Sequence, residues 1–271
     1  MAYELEVTLL GCGSSGGVPR ADGNFGACDP NEPKNWRSRC SLAVRRKATD
    51  PGGEETTLVI DTSPEFRLQC ARAGLTRLDT VLFTHDHADQ AHGIDDIRAF
   101  FLKYHKKIPC LTDEATRQSL MRRFGYIFTG DKGYPAIAEL GLIAPFGETF
   151  LIEGPSGPLP VVAFDQDHGD IRSLGFRVGD VGYLSDVVDL PDESKAMLTG
   201  LDLFIVDALR YRPHPTHAHL EKALGWIEEL KPRRSVLTNM HIDLDYATLL
   251  GELPPGVAPG YDGLRLISPM R

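Results

Sequence analysis

The chain has 271 residues, 42% hydrophobic and 25% charged, and its 29 basic and 38 acidic residues give a formal net charge of −9. That length can bury a sizeable core, and the lack of any low-complexity tract fits a globular protein. The acidic balance argues against a broad grip on a nucleic-acid polymer, which needs many Lys and Arg facing phosphates. It leaves a small anionic substrate open, because bound cations dominate the local field of a site.

Residues Met1 to Leu10 lack a basic stretch followed by a long apolar one, so they do not read as a signal peptide. No apolar run approaches a transmembrane length. Cys12, Cys28, Cys40, Cys70 and Cys110 are odd in number and scattered, which suits reduced thiols. The expectation is a cytoplasmic protein without membrane attachment. A homodimer is possible on general grounds.

In chain order, Leu5–Leu10 reads as a strand followed by the turn Gly11-Cys12-Gly13-Ser14-Ser15-Gly16-Gly17. Residues 21–39 are polar and rich in Gly, Pro and Asn, the composition of a long loop. Strand-like runs follow at Cys40–Arg46, Thr57–Asp61 and Thr80–Thr84, with helical spacing over Pro64–Ala73, Ile94–Tyr104 and Glu114–Phe124. Further strands are expected at Val161–Phe164, Leu174–Val178, Val181–Leu184, Leu203–Val206 and Ser235–Thr238, with a hairpin turn at Gly179-Asp180. The clearest helix is Leu220–Leu230, with Leu220, Leu224, Ile227 and Leu230 on one face. No linker divides the chain, so residues 1–271 read as one domain of two sheets with helices outside them.

The motif that carries most chemistry is Thr84-His85-Asp86-His87-Ala88-Asp89-Gln90, directly after the apolar Val81-Leu82-Phe83. Two imidazoles and a carboxylate at alternate positions past a strand end can converge on one or two metals. His168, Asp186 and His241 follow other strand-like runs. Any one alone is most simply a loop residue, but together with the first cluster they point to a shared metal site.

This order of residues resembles the metallo-β-lactamase superfamily, and within it the PhnP-like cyclic phosphodiesterase branch. The likeness includes Gly11-x-Gly13, Gly17-Val18-Pro19, Ser185-Asp186, Thr238-Asn239-Met240-His241 and the closing Tyr261-Asp262-Gly263. It implies an αββα sandwich of class α/β (α+β), with one or two divalent ions, zinc or manganese, at one edge. It further implies that His85, His87 and His168 hold the first ion, that Asp186 bridges to a second, and that Asp89 anchors that second ion. Two ions about 3.5–4 Å apart would generate a hydroxide to attack phosphorus. His217 would act as general acid or orient the phosphoryl group, and His219 is a second candidate.

Two positions depart from the family pattern, both at the second ion: Gln90 and Asn239 stand where the family usually has histidines. An amide oxygen is a weaker zinc ligand than imidazole, and His92 or His241 could rebuild the site from shifted positions or stand behind it. The branch's cysteine-held structural zinc is not expected, since Cys28 and Cys40 are not closely spaced and Ile242 stands where a late histidine would be.

Gly11-Cys12-Gly13-Ser14-Ser15-Gly16 also fits a dinucleotide-binding fingerprint, but Pro19 disfavours the helix that must follow. Ser14 and Ser15 are candidate phosphate donors, with a purely structural turn role equally open. The expected activity is hydrolysis of a small cyclic or nucleotide-like phosphodiester. The alternatives are hydrolysis of a carbon centre such as a lactone or thioester, tRNA 3′-end processing, and nucleotide binding with a degraded second metal site.

Overall fold

The computed structural model describes residues 3–47 and 52–270. Its first half contains β1 (Tyr3–Gly11), β2 (Ser41–Arg46), β3 (Thr56–Ile60), α1 (Phe66–Ala73), β4 (Thr80–Leu82), α2 (Ala88–Ala91), α3 (Arg98–Tyr104), β5 (Ile108–Thr112), α4 (Glu114–Thr129) and β6 (Ala138–Leu142). The second half contains β7 (Thr149–Ile152), β8 (Leu159–His168), β9 (Ile171–Val178), β10 (Val181–Leu184), α5 (Asp192–Ala196), β11 (Leu203–Asp207), α6 (Leu220–Leu230), β12 (Arg234–Thr238), α7 (Tyr246–Glu252), β13 (Val257–Pro259) and β14 (Arg265–Met270).

These strands form two seven-stranded sheets, ordered β14-β1-β2-β3-β4-β5-β6 and β13-β12-β11-β10-β9-β8-β7. Each sheet is antiparallel along one side and parallel along the other, where β3 to β6 and β10 to β13 run together. Period-2 alternation separates the layers. In β2, Leu42 and Val44 face the core between the sheets while Ala43 faces outward; in β3, Leu58 and Ile60 face inward and Val59 outward. The inner core also holds Phe164, Phe176 and Phe204, each fully buried. Replacing any of these phenylalanines with Ala is expected to cost about 3–5 kcal/mol.

A second apolar cluster lies outside the first sheet. There Phe66, Cys70 and Ala73 of α1 and Leu120 and Ile127 of α4 pack on Val59 and Val81. Outside the second sheet, α6 buries Leu220, Ala223 and Trp226 most deeply, with Leu224, Ile227 and Leu230 only partly buried. The buried face is thus rotated toward Trp226 from the expected stripe, because the bulky indole takes the contact with the sheet. The result is the αββα sandwich of an α/β fold. No helix among the described residues is long and apolar enough to cross a membrane.

The expected Ile94–Tyr104 helix is a 3-10 turn over Ile94–Ile97 running into α3. The expected Glu114–Phe124 helix continues to Thr129 through non-helical dihedrals at Phe124. The 21–39 segment is a loop apart from one 3-10 turn at Pro33–Asn35.

Candidate metal centre

Chemistry-bearing residues gather where strands from both sheets end. Asp61 follows β3, His85 to Gln90 follow β4, His168 closes β8, Asp186 follows β10, Asp207 closes β11 and Asn239 follows β12. The carboxyl ends of parallel strands are the usual place for a ligand in open α/β sheets. Asp61, Asp186 and Asn239 adopt left-handed backbone, with φ of 62°, 56° and 59°. Asp and Asn tolerate that region better than other non-glycine residues. It turns the chain sharply enough to leave each side chain at the strand tip.

The rings of His85, His87 and His168 form a triangle with centroid separations of 4.5, 5.0 and 5.3 Å. One ligand atom from each lies within 4.8 Å of the others, and His168, Asp186 and His217 form a second such group. The imidazoles are oriented from behind. His85 Nδ1 lies 2.9 Å from Thr84 Oγ1, which donates to Asp61 Oδ2 at 2.9 Å, while Asp61 Oδ1 accepts the Thr84 amide at 2.8 Å. His168 Nδ1 donates to the Thr216 carbonyl at 2.7 Å. Each relay leaves Nε2 for the cluster, the usual arrangement behind metal-bound histidine. His85 Nε2 is buried without a hydrogen-bond partner, and burial pushes the His85 pKa down to about 3. A neutral, buried, unpartnered imidazole nitrogen facing two others and a carboxylate fits a soft or borderline divalent cation.

Asp186 is buried and accepts from Ser185 Oγ at 2.5 Å. Against the burial that would raise it, His85, His217 and His168 hold Asp186 at about 2. Asp89 moves the opposite way, raised by burial and then by the Asp186 charge. Gln90 Nε2 lies between these carboxylates, 2.9 Å from Asp186 Oδ2 and 3.3 Å from Asp89 Oδ2. Asn239 Nδ2 lies 3.2 Å from His217 Nδ1, and the carbonyl oxygens of both amides are buried without partners. Because the Gln90 amide already donates to both carboxylates and an amide oxygen is a weaker zinc ligand than imidazole, the groups around Asp89 fit a second cation less well than the imidazole triangle fits the first.

His217 sits 4.8 Å from His168, ring to ring. Its Nδ1 is 3.0 Å from Asp207 Oδ2 and 3.9 Å from Asp186 Oδ1. Against the burial that would lower it, Asp207 and then Asp186 and Asp89 raise His217 to about 9.

The other candidate residues lie farther out. His241 Nε2 accepts from Arg20 Nη2, and its Nδ1 lies 3.2 Å from Asp243 Oδ1 but makes no hydrogen bond, so the ring is held by Arg20 outside the cluster. Burial, together with Arg20 and Arg210 and against Asp243, lowers its pKa. His219 lies 3.9 Å from the exposed Glu221 at the start of α6. His92 is 2.7 Å from Arg123 Nη2. Ser14 is buried and Ser15 exposed. The amides of Cys12, Gly13 and Ser14 already donate to Asp262, Ser38 and Met240. This turn packs so closely that a Cβ on Gly11 would lie 2.1 Å from the Arg39 carbonyl. Cys28 Sγ donates to the Ile242 and Leu244 carbonyls at 3.4 Å, beside the buried Arg37.

Sequence reasoning passed over Asp61, Thr84, Asp207 and Thr216. The first and third carry the same signal as Asp186, an acid directly after a run of buried β-branched and aliphatic residues.

The description "β-lactamase superfamily domain" matches residues 56–242. The chain belongs to the metallo-β-lactamase superfamily. Its likeness within the superfamily is to the PhnP branch: a crystal structure of a diphosphatase from the PhnP family superposes with a TM-score of 0.86 at 31% identity, covering 100% of this chain and 99% of that one. Zinc-bound PqqB from Methylobacterium extorquens shares the fold, with a TM-score of 0.71 at 18% identity over 96% of this chain and 99% of that one. An octanoyltransferase of Porphyromonas gingivalis is 32% identical over 264 residues, 96% of this chain and 51% of that protein. The chain thus spans about half the length of the curated relative it matches.

Proposed function

We propose that this metallohydrolase-fold protein hydrolyses a small phosphodiester, cyclic or nucleotide-like, with the help of one divalent cation. His85, His87 and His168, with Asp186, would hold the ion. Three imidazoles and a carboxylate suit zinc, with manganese the alternative. Such an ion, when bound, polarises a phosphoryl oxygen and lowers the pKa of water.

The observation that carries the phosphodiester reading is His217, held by Asp207 on the edge of the cluster. Asp207 fixes the ring by accepting a hydrogen bond from Nδ1–H, so Nε2 is the atom that reaches a substrate. The buried carboxylate behind the ring keeps the imidazolium stable near neutral pH. His217 can then donate its Nε2 proton to the departing alkoxide while its charge offsets that of the phosphoryl oxygens. Asp61, acting through Thr84, and the Thr216 carbonyl keep His85 and His168 from rotating.

The 31% identity to a PhnP-family diphosphatase over the whole chain supports hydrolysis at a phosphorus centre rather than a carbon centre. Assays of the purified protein against a phosphodiester, a lactone and a thioester with added zinc or manganese test the reading. Metal-dependent turnover of the phosphodiester alone is expected. Turnover of only the lactone or thioester would assign the chain to carbon-centre hydrolysis.

A further inference from the structure

The chain following α4 builds a cavity that the reaction described above does not use. Its volume is about 410 Å³, and Arg98, Tyr126, Tyr134 and Pro135 line it together with Ile127 and Ile137. The two isoleucines are buried, and the Ile137 amide donates to the Ile127 carbonyl at 2.9 Å, so they give the cavity a fixed apolar floor. A volume in this range suits a small molecule.

Two tyrosines give the cavity its character. Tyr134 is 73% exposed and stacks on no other ring among the described residues, yet its backbone is fixed. Asp131 and Tyr134 exchange backbone hydrogen bonds of 3.2 and 2.8 Å around Lys132 and Gly133, whose φ of 47° and 89° are those of a type I′ turn. A Cβ on Gly130 would lie 2.5 Å from the Tyr134 carbonyl, so the chain closes tightly behind the turn. Tyr126 is also held: its hydroxyl donates to Asp95 Oδ1 at 3.2 Å, and the same oxygen accepts Arg98 Nη2 at 2.6 Å. Ring and guanidinium are thus ordered before a ligand arrives, which lowers the entropy cost of binding. Charge here is mixed. Asp95 matches Arg98, while Asp131 and Lys132 have no ion-pair partner among the described residues. One acid and one base free beside aromatic walls suit a neutral planar ligand with acceptors and donors along its edge.

We propose that this cavity binds a nucleobase, stacked on the rings of Tyr126 and Tyr134 and met along its edge by Asp131 and Lys132. Every base has a face that stacks on an aromatic side chain, and the planar Arg98 guanidinium adds a further stacking surface. The base belongs either to the substrate of the His85–His87–His168 cluster or to a separate nucleotide, and the recognition chemistry is the same. A structural link to the cluster exists: Tyr126 is three residues beyond Arg123 on α4, and Arg123 donates to His92 at 2.7 Å and to the Asp86 carbonyl, between His85 and His87. Where the base is the substrate's, the inference rests on the phosphodiesterase reading and narrows it to nucleotides.

The test is calorimetry on metal-loaded protein with AMP and with ribose 5-phosphate, which carries the same phosphate and no base. The wild type is expected to bind AMP about tenfold or more tightly than ribose 5-phosphate, within the range for one stacked base. Tyr134→Ala and Tyr126→Ala should each remove most of that difference, and Tyr134→Phe should keep it, because the ring and not the hydroxyl stacks. Thermal unfolding at the wild-type midpoint checks that the exposed Tyr134 is replaced without harm to the fold. Equal binding of the two compounds by the wild type overturns the proposal, as does a difference that survives both alanine variants. Values of kcat/KM for adenosine 2′,3′-cyclic phosphate and for methyl riboside 2,3-cyclic phosphate read the source of the base. A preference for the nucleotide that Tyr134→Ala removes assigns the base to the substrate. Turnover without such a preference, with AMP binding still lost in Tyr134→Ala, assigns it to a separate nucleotide and keeps the cavity. AMP binding that depends on Tyr134, with no diester hydrolysed by any protein, keeps the cavity and removes the phosphodiesterase reading.

Discussion

The side-chain amide of Gln90 lies 2.9 Å from Asp186 Oδ2 and 3.3 Å from Asp89 Oδ2, so one neutral group ties together two carboxylates that would otherwise repel. The amide does part of what a second cation would do, and it stands where one would bind. Metal analysis of the wild type should give about one ion per chain, the closed imidazole set being the stronger site. The double variant Gln90→His with Asn239→His should approach about two. Two ions per chain in the wild type would mean that the amide turns its oxygen to the metal and that both positions are ligands.

His217 and Asp207 act as a pair across 3.0 Å. His217→Ala should lower turnover of a phosphodiester by about 10²–10⁴-fold, the range for a lost general acid. Metal content should stay the same, since the imidazole triangle is intact. Asp207→Asn should also lower turnover, because the amide cannot hold the imidazolium. Unchanged turnover in His217→Ala would remove that residue from the chemistry, and loss of metal would make it a ligand instead.

Asp61 touches no cluster atom directly yet fixes His85 through Thr84. Asp61→Asn keeps the shape and tolerates the positive φ, but it weakens the hold on the Thr84 amide and hydroxyl. Metal affinity, read by competition with a chelating dye, should fall by about 10–100-fold, as for other groups that orient metal-bound histidines. His85→Ala should abolish binding at that site. Full metal retention in His85→Ala would contradict the assignment.

Asp245 offers a pH test away from the cluster. It caps α7 by accepting the Thr248 amide at 2.9 Å, and it accepts the Asp29 amide at 3.1 Å and Asn35 Nδ2 at 2.7 Å. Against the burial that would raise it, these bonds hold its carboxyl at about 2. The folded value lies below the unfolded one of about 3.9, so this stabilisation is present above pH ~4 and is lost as pH falls toward 2. Asp245→Ala should cost about 1–2 kcal/mol at neutral pH. Chemical denaturation should show the gap from wild type narrowing below pH ~4, and a gap independent of pH would contradict the assignment.

The central strands were legible because they are buried on both faces and end abruptly in polar residues. β10, for example, occupies Val181–Leu184 as its apolar run predicts. The edge strands β6 and β7 were not, since their exposed and half-buried positions carry no clear alternation. At the cluster, His85-x-His87 was readable as a local pattern. Asp207 carries the strand-end signal of an acid after an apolar run, but its role was not readable, because it depends on a histidine ten residues later. The identity of Gln90 was visible, but its contact with a carboxylate 96 residues away exists only once β4 and β10 end at the same edge. His241 shows the converse. Its place after a strand marks it as a ligand, whereas the fold sets it against Arg20.

The measurement that bears most directly on the central claim is hydrolysis of bis(p-nitrophenyl) phosphate by one preparation, assayed after chelator treatment and again after zinc or manganese is restored with metal content determined in parallel. Turnover that vanishes with the metal and returns with it is the predicted result. Protein that takes up the ion fully and still leaves the phosphodiester intact would contradict it.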